Sequence, residues 1–509
     1  MAERRSLGFN VAVNIGARIG LGAVGLVTIP VVLHRLGPEA FGVYMISVSL
    51  AGLVGILDLG LTAAFINRLA RARNDNDGVV IQGLVGTTIS IFGVLGVILC
   101  IGTFLVAPVV VTSVLHVAGR LAGDATVALR VTGVGLALSL WLSVLDAIPV
   151  AYERYDIVAW RISLISVLAA FATLGYAFAG GGLVGLVVIN VIGTAFGLVT
   201  FYAAARRLLP GHRLRPGWSK EAMRSLIGFS FFKFAGTASA TAVFRFDQLA
   251  VGFLLGVRAA GLYAVPSGVL ARLLALVGAA VSPAFPRVSG MTRDTSAVSR
   301  LFVEATRWLA VIAFPVAAVF AIAPEAILAA WIGGREGQIV AHEVGATTRW
   351  LMLAFAVQAV AAVPAVFCEA TGSPWMNNLF AVAGLVIHVP MFFVLVLGVG
   401  LEGAGLTLLL NSVVQTVPFV ILATRRVAEM SVWTLFWRAL SRPLVASLIP
   451  AAIAIWLANN ELSRIWILVV LAAAGLAYGV AAVALGAITR SDLAVIGKLV
   501  VPRSAHHRV

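Results

Sequence analysis

The chain has 509 residues, of which 61% are hydrophobic and 11% charged, with mean hydropathy +1.05 and formal net charge +15. A soluble chain carries about 25% charged residues to keep its surface wet, so this composition excludes an ordinary soluble domain. The apolar runs are too long and uniform for the alternating strands of an outer-membrane barrel. They predict membrane helices, in which every backbone polar group is satisfied within the segment.

At roughly 20 apolar residues per crossing, the chain contains about fourteen predicted spans. In order they cover 9–33, 41–66, 79–108, 126–152, 156–178, 182–205, 227–255, 261–285, 303–332, 346–369, 375–398, 402–424, 441–458 and 464–488. The first run is too long for a secretory signal and lacks a small-residue cleavage site, so it is expected to remain as a helix. Ahead of the thirteenth run, Val432-Trp433-Thr434-Leu435-Phe436-Trp437-Arg438 combines aromatic and basic residues in the manner of an interfacial stretch.

A short pattern occurs twice. Leu36-Gly37-Pro38-Glu39-Ala40-Phe41-Gly42-Val43-Tyr44 returns 219 residues later as Leu255-Gly256-Val257-Arg258-Ala259-Ala260-Gly261-Leu262-Tyr263. The same shift carries Arg68 onto Arg287, Ala151 onto Ala370, and Arg206-Arg207 onto Arg425-Arg426. Duplication within an apolar chain marks a transporter built from two halves, with the substrate path between them. The expected organisation is an N-terminal six-helix lobe (1–205), a basic cytoplasmic linker (206–226), a second six-helix lobe (227–426) and two additional helices (427–509). Six is even, so both lobes enter the membrane in the same sense.

Loop charges support that arrangement. With the N-terminus inside, 23 Lys and Arg fall in cytoplasmic segments, against five outside at Arg35, Arg120, Arg258, Arg335 and Arg464. This alternation accounts for the positive charge as membrane orientation and attraction to anionic headgroups, not nucleic-acid binding. It predicts a multi-pass membrane protein with both termini cytoplasmic. Cys100 and Cys368 both lie in apolar runs and make neither a disulfide framework nor a metal site. No Walker loop, His-Glu-x-x-His or Ser-His-Asp context occurs, so neither an enzyme nor a cofactor is expected.

The informative residues are ionisable groups deep in apolar runs, each costing roughly 2.5–3.5 kcal/mol or more at the bilayer centre unless paired or wetted. They are Arg18, Asp58, Asp146, Arg245, Asp247 and Arg272, with Lys233 nearer a helix end. Asn14 shares a helical face with Arg18, and Lys233 shares one with Thr237, Thr241 and Asp247. Asn14 and Lys233 are themselves one repeat apart. Arg18, Lys233, Arg245, Arg272 and Asn14 are candidates for an anion-binding cavity, because a guanidinium fork bonds phosphate oxygens in pairs. Asp58, Asp146 and Asp247 are candidates for ion coupling or gating. The alternative for Arg245, Asp247 and Arg272 is mutual neutralisation as buried ion pairs. His388 is either a proton carrier or a packed core histidine, and Asn190 and Asn411 are expected to bond across helices. Arg161, Arg307, Glu369, Arg130 and Arg349, near predicted helix ends, are expected to reach the interface.

Asn14, Pro30, Leu36-Gly37-Pro38-Glu39 with Gly42 and Tyr44, and Leu57-Asp58-Leu59-Gly60-Leu61 resemble the start of the polysaccharide flippases. These are the O-antigen and exopolysaccharide exporters of the multidrug/oligosaccharidyl-lipid/polysaccharide (MOP) superfamily. Asp247, Leu255-Gly256, Gly261, Tyr263 and Ala370-Thr371-Gly372 extend the resemblance through the second half. It implies a transporter that turns undecaprenyl-pyrophosphate-linked oligosaccharides from the cytoplasmic to the periplasmic leaflet, through a cationic cavity between two lobes that open alternately. The implied partners are the lipid-linked substrate, membrane lipids, H⁺ or Na⁺ as coupling ion and a polysaccharide polymerase with its chain-length machinery; a monomer is expected. Rivals are a lipid-linked peptidoglycan precursor flippase, a drug/cation antiporter of the same superfamily, and a membrane polysaccharide polymerase or ligase. The antiporter needs an acidic or apolar cavity, and the polymerase or ligase a large external loop that this chain lacks.

Overall fold

The computed structural model describes the backbone of residues 2–489 other than Leu59, Thr292, Arg293 and Glu461, and the side chains of these residues except 2–21, 23 and 227–244. It is 88% helical, with no strand among the described residues. The order begins α1 (Ala2–Gly52), α2 (Val54–Leu57), α3 (Leu61–Asn74), α4 (Gly78–Val109), α5 (Arg120–Ala151), α6 (Tyr155–Phe178) and α7 (Leu183–Leu208). Next come α8 (Lys220–Val281), α9 (Ala284–Gly290), α10 (Thr295–Ile322), α11 (Pro324–Ile332), α12 (Gly334–Ala370) and α13 (Pro374–Val399). The chain closes with α14 (Leu401–Asn411), α15 (Val417–Arg426), α16 (Val432–Leu435), α17 (Ser441–Ala446), α18 (Leu448–Ala458) and α19 (Arg464–Ala484).

Twelve helices among the described residues are long and apolar enough to cross a membrane. The difference from the expected fourteen lies in two continuous stretches, Val24–Leu57 and Arg245–Gly290, each of which takes in parts of two expected spans. Both are interrupted, α1 at Gly37 (φ 75°, ψ 166°) and α8 at Gly256 (φ 87°, ψ 172°). These conformations lie outside the helical region and at positive φ, which glycine alone adopts without strain. The two breaks are the repeated glycines, 219 residues apart. That interval also separates the first residues of α6 and α13, Tyr155 and Pro374, and the last of α5 and α12, Ala151 and Ala370.

The helices group into two units: residues 1–269 with 381–404, and residues 270–380 with 405–509. In the first, α5 lies between α4 and α7, around a core containing Phe65, Leu69, Leu84, Phe92, Leu140 and Phe201. Its outer faces carry exposed Ile98, Leu105 and Val199, which fits helices facing hydrocarbon rather than water. Asp77 caps α4 by accepting from the Val79 and Val80 amides at 3.1 and 3.0 Å. Arg73, at the end of α3, donates to the Ala151 carbonyl at 3.2 Å and to Glu153 at 3.1 Å. It also lies over the Tyr152 ring, so α3 is tied to the end of α5.

The repeated motifs meet within this first unit. A Cβ placed on Gly42 would lie 1.8 Å from the Val257 carbonyl oxygen, and one on Gly261 would lie 2.3 Å from that of Pro38. Gly42 and Gly261 are repeat equivalents, as are Pro38 and Val257. The contact is therefore reciprocal, the form of a two-fold interface. Only absent side chains let the two backbones approach so closely.

In the second unit, α12 packs against α10 and α11, with Phe302 and Phe367 edge to face at 5.2 Å. Arg349 of α12 donates to the Ala321 carbonyl at 2.9 Å. The C-terminal helices add to this body through α18 on α10 and α19 on α11, and the Tyr478 hydroxyl donates to the Val311 carbonyl at 2.7 Å. Trp433, Phe436 and Trp437 form an aromatic cluster with both tryptophans exposed, at the start of the membrane-length stretch Val432–Ala458.

Gly42→Ala and Gly261→Ala must each push the two motifs apart, and overpacking of this kind costs about 1–3 kcal/mol. Gly475→Ala on exposed α19, where an added Cβ meets nothing within 4 Å, is expected to be neutral or slightly stabilising. Thermal unfolding of the purified variants in one detergent measures the difference.

Candidate functional site

Asp247 stands on α8 nine residues before the break at Gly256, and Tyr263 seven residues after it. The break turns the chain back so that the two meet: the Tyr263 hydroxyl donates to Asp247 Oδ2 at 3.3 Å. Gln248, next along α8, bonds across the same turn, donating from Nε2 to the Ala260 carbonyl at 2.6 Å. The third member arrives from α13. His388 Nε2 lies 2.6 Å from Asp247 Oδ1, and the two side chains are 0% and 2% exposed. Phe392 flanks the imidazole, and Phe246 packs against both Phe392 and Phe393.

The chemistry of this cluster is that of a proton held in a dry place. A carboxyl and an imidazole at 2.6 Å share one proton, and the phenol adds a donor to the other carboxylate oxygen. His388 Nδ1 is buried without a hydrogen-bond partner among the described residues. An imidazolium would bury an unsatisfied N–H there, so a neutral ring donating from Nε2 to the carboxylate fits the pattern better. Asp247 is thus hydrogen-bonded by His388 and Tyr263 rather than paired with Arg245 or Arg272, and the expected alternative of arginine ion pairs does not describe it.

Arg245 sits eleven residues from the break, about 16 Å along α8 at 1.5 Å per residue. Its guanidinium lies over Gly52 of α1: a Cβ there would meet Nε at 2.4 Å and Cζ at 2.5 Å. Arg245 is partly buried, and no salt bridge joins it to a described carboxylate. Arg272 is partly buried in the second unit. The side chains of Asn14, Arg18 and Lys233 lie outside the described residues.

Asp58 ends α2 and accepts from the Gly60 amide at 2.7 Å. It lies close enough to Asp146 of α5 for the two charges to interact, so two of the three nominated carboxylates form a pair separate from Asp247. Tyr44, the repeat equivalent of Tyr263, has a different partner: Asn190 Nδ2 donates to its hydroxyl at 3.3 Å. Beside them is a cavity of about 160 Å³ lined in part by Ser47, Thr132, Ser139, Asn190 and Thr194. Asn190 bonds across helices as expected, whereas Asn411 Oδ1 is buried without a partner among the described residues. Arg161 and Arg130 donate to the carbonyls of Thr200 and Phe104 on neighbouring helices.

Sequence reasoning nominates neither Tyr263 nor Gly52 for the site. Tyr263 is visible only as the last letter of the repeat. Gly52 has no local signature, because its role is to leave room for a side chain 193 residues away.

Among the described residues, membrane-length helices, an internal repeat and buried ionisable side chains define a multi-pass, duplicated helical membrane protein. Residues 32–335 match the family described as polysaccharide biosynthesis protein. The putative O-antigen transporter of Shigella flexneri is 24% identical over 381 residues, covering 73% of this chain and 87% of that protein. Lipid II flippase MurJ in an inward closed conformation superposes with a TM-score of 0.74 at 12% identity, covering 95% of this chain and 100% of MurJ. An inward-facing multidrug resistance MATE transporter of the MOP superfamily gives 0.66 at 13% identity, covering 82% and 98% of the two chains. At these identities the two structures establish the fold alone. The chain belongs to the polysaccharide biosynthesis protein family, and it shares the fold of these two membrane transporters.

His388→Ala leaves a buried carboxyl without one of its hydrogen-bond partners and should cost about 1–3 kcal/mol or more. Adding Asp247→Leu should recover part of that loss, a non-additivity read from thermal unfolding of the single and double variants.

Proposed function

We propose that this protein turns an undecaprenyl-pyrophosphate-linked oligosaccharide from the cytoplasmic to the periplasmic leaflet of the bacterial inner membrane, with both its termini cytoplasmic. Family membership supports a polysaccharide-linked cargo. The observation that carries the anion site is Arg245, a cation far along a membrane helix, seated on a glycine and outside every described salt bridge. A guanidinium in that setting suits a pyrophosphate, whose oxygens accept its parallel donors. Arg18, Lys233 and Asn14 are assigned with Arg245 to a cationic path, and Arg272 is assigned to a further substrate-binding position of its own; alternating access of two six-helix lobes is the proposed mechanism.

With no nucleotide-binding motif, energy comes from an ion gradient or from removal of the product. Asp247 with His388 is the proposed coupling site, and H⁺ is the proposed ion, because the carboxyl and imidazole stand within hydrogen-bond distance in a buried cluster and can hold a proton between them. The Asp58–Asp146 pair is assigned to gating. The polymerase that consumes the flipped unit, with its chain-length machinery, is the expected partner.

Arg245→Ala should lower export of the lipid-linked oligosaccharide about 10- to 100-fold, matching the ~1.5–3 kcal/mol of a charged hydrogen bond, while Arg245→Lys retains part of it. Complementation of a deletion strain, with membrane levels checked by immunoblot, measures this; undiminished export by both Arg245→Ala and Arg272→Ala would rule out the anion path. In proteoliposomes, an imposed proton gradient should accelerate the wild type and leave Asp247→Asn unaffected. A wild-type rate that follows sodium instead would reassign the coupling ion.

A further inference from the structure

Between α7 and α8 the basic linker does not run free over the surface. It is laid along the first turns of α4 by a ladder of hydrogen bonds. Gln82 pairs with the Arg213 backbone in both directions, Nε2 to the carbonyl and the amide to Oε1, each at 2.8 Å. The Gly217 amide donates to the Gly86 carbonyl at 3.1 Å and to Ser90 Oγ at 3.0 Å, and Ser90 Oγ donates to the Gly217 carbonyl at 2.9 Å. The Ser219 amide donates to Thr87 Oγ1 at 2.9 Å. Gly86 and Gly217 permit this approach, since a Cβ on Gly86 would stand 3.1 Å from Gly217 Cα.

The strap so formed covers an apolar groove of about 370 Å³ between α4, α5 and α7, into which it contributes Leu214 and Pro216. Trp141, Leu198, Val199 and Tyr202 line the helical walls. Val199 is 67% exposed, and Trp141 and Tyr202 are also exposed, so the groove opens outward from the helices. Trp141 is seated by Gly93, where a Cβ would lie 3.2 Å from Nε1. No charged side chain lines the groove. Its rim is the opposite: Arg213 and Arg215, on either side of Leu214, are exposed, as are Arg206 and Arg207 at the end of α7. Across 206–226 there are six Lys and Arg and one acidic residue, Glu221.

An apolar groove that opens onto hydrocarbon, beneath an anchored row of cations, matches a chain with a negative headgroup. We propose that this groove holds one acyl chain of an anionic phospholipid, whose headgroup is bound by Arg213 and Arg215 of the strap. The groove supplies dispersion contact along the chain, and the cations supply the preference for an anion over a zwitterion. The strap's own hydrogen bonds to α4 involve the Arg213 backbone and not its guanidinium, so charge can be removed without cutting the ladder. The site is independent of the transport reading above.

The test uses the full chain in nanodiscs of phosphatidylcholine doped with phosphatidylglycerol whose acyl chains are brominated. Bromine quenches tryptophan on contact, and the difference between wild type and Trp141→Phe isolates the Trp141 signal. Brominated phosphatidylglycerol should half-quench that signal at a mole fraction about tenfold lower than brominated phosphatidylcholine. Arg213→Gln/Arg215→Gln should abolish the difference while quenching at high lipid fraction persists. Should Trp141→Phe fail to fold, Leu198→Phe, which narrows the groove, should reduce total quenching selectively for the anionic lipid. Equal quenching by the two lipids, no Trp141 quenching by either, or an anionic preference that survives the double Gln variant each overturns the proposal.

Discussion

Two glycines facing each other set the geometry on which the first unit depends. Gly42 and Gly261 bring the backbones of two helices into direct contact, each occupying the space against a carbonyl of the other's motif. In hydrocarbon there is no hydrophobic force to press helices together, so close backbone approach and dispersion must do so. The motif also carries its own turn, since Gly37 and Gly256 sit at positive φ five residues earlier. Break and contact are thus built into one short repeated sequence. The helices leaving the breaks then carry Tyr44 and Tyr263 to matching positions.

From that shared frame the two copies diverge in chemistry. Tyr263 faces Asp247 and, beyond it, His388, in a cluster with almost no exposed surface. Tyr44 faces Asn190 beside a small polar cavity. A tyrosine hydroxyl serves both because it can donate or accept. One copy thereby holds titratable groups in a low-dielectric setting, the other neutral ones. The proposed proton coupling rests on this asymmetry, with the titratable cluster in one copy of the repeat.

Much of the architecture is legible in the residues. Composition and run length predict the helices, and the 219-residue repeat is matched by backbone breaks at the repeated glycines. The number of spans depends on the two broken stretches, which count as twelve spans in all if each is one helix and as the expected fourteen if the breaks at Gly37 and Gly256 divide them. Asp58, Asp146 and Asp247 are each visible as costly charges in apolar runs. Their sorting into an Asp58–Asp146 pair and an Asp247–His388 pair is not, since the partners are separated by 88 and 141 residues.

The sequence by itself determined a helical, duplicated membrane protein, because lipid admits few ways of satisfying a backbone and the repeat is written in the residues. It also determined which charges are expensive. Only tertiary structure decided where those groups come to rest: Asp247 against His388 and Tyr263, Arg245 over the bare backbone of Gly52, and the basic linker along α4. Apart from the Tyr263–Asp247 bond, which closes across the Gly256 break, these are contacts between segments far apart in the chain. Local periodicity reports which face of a helix is polar, but not which neighbour that face will meet.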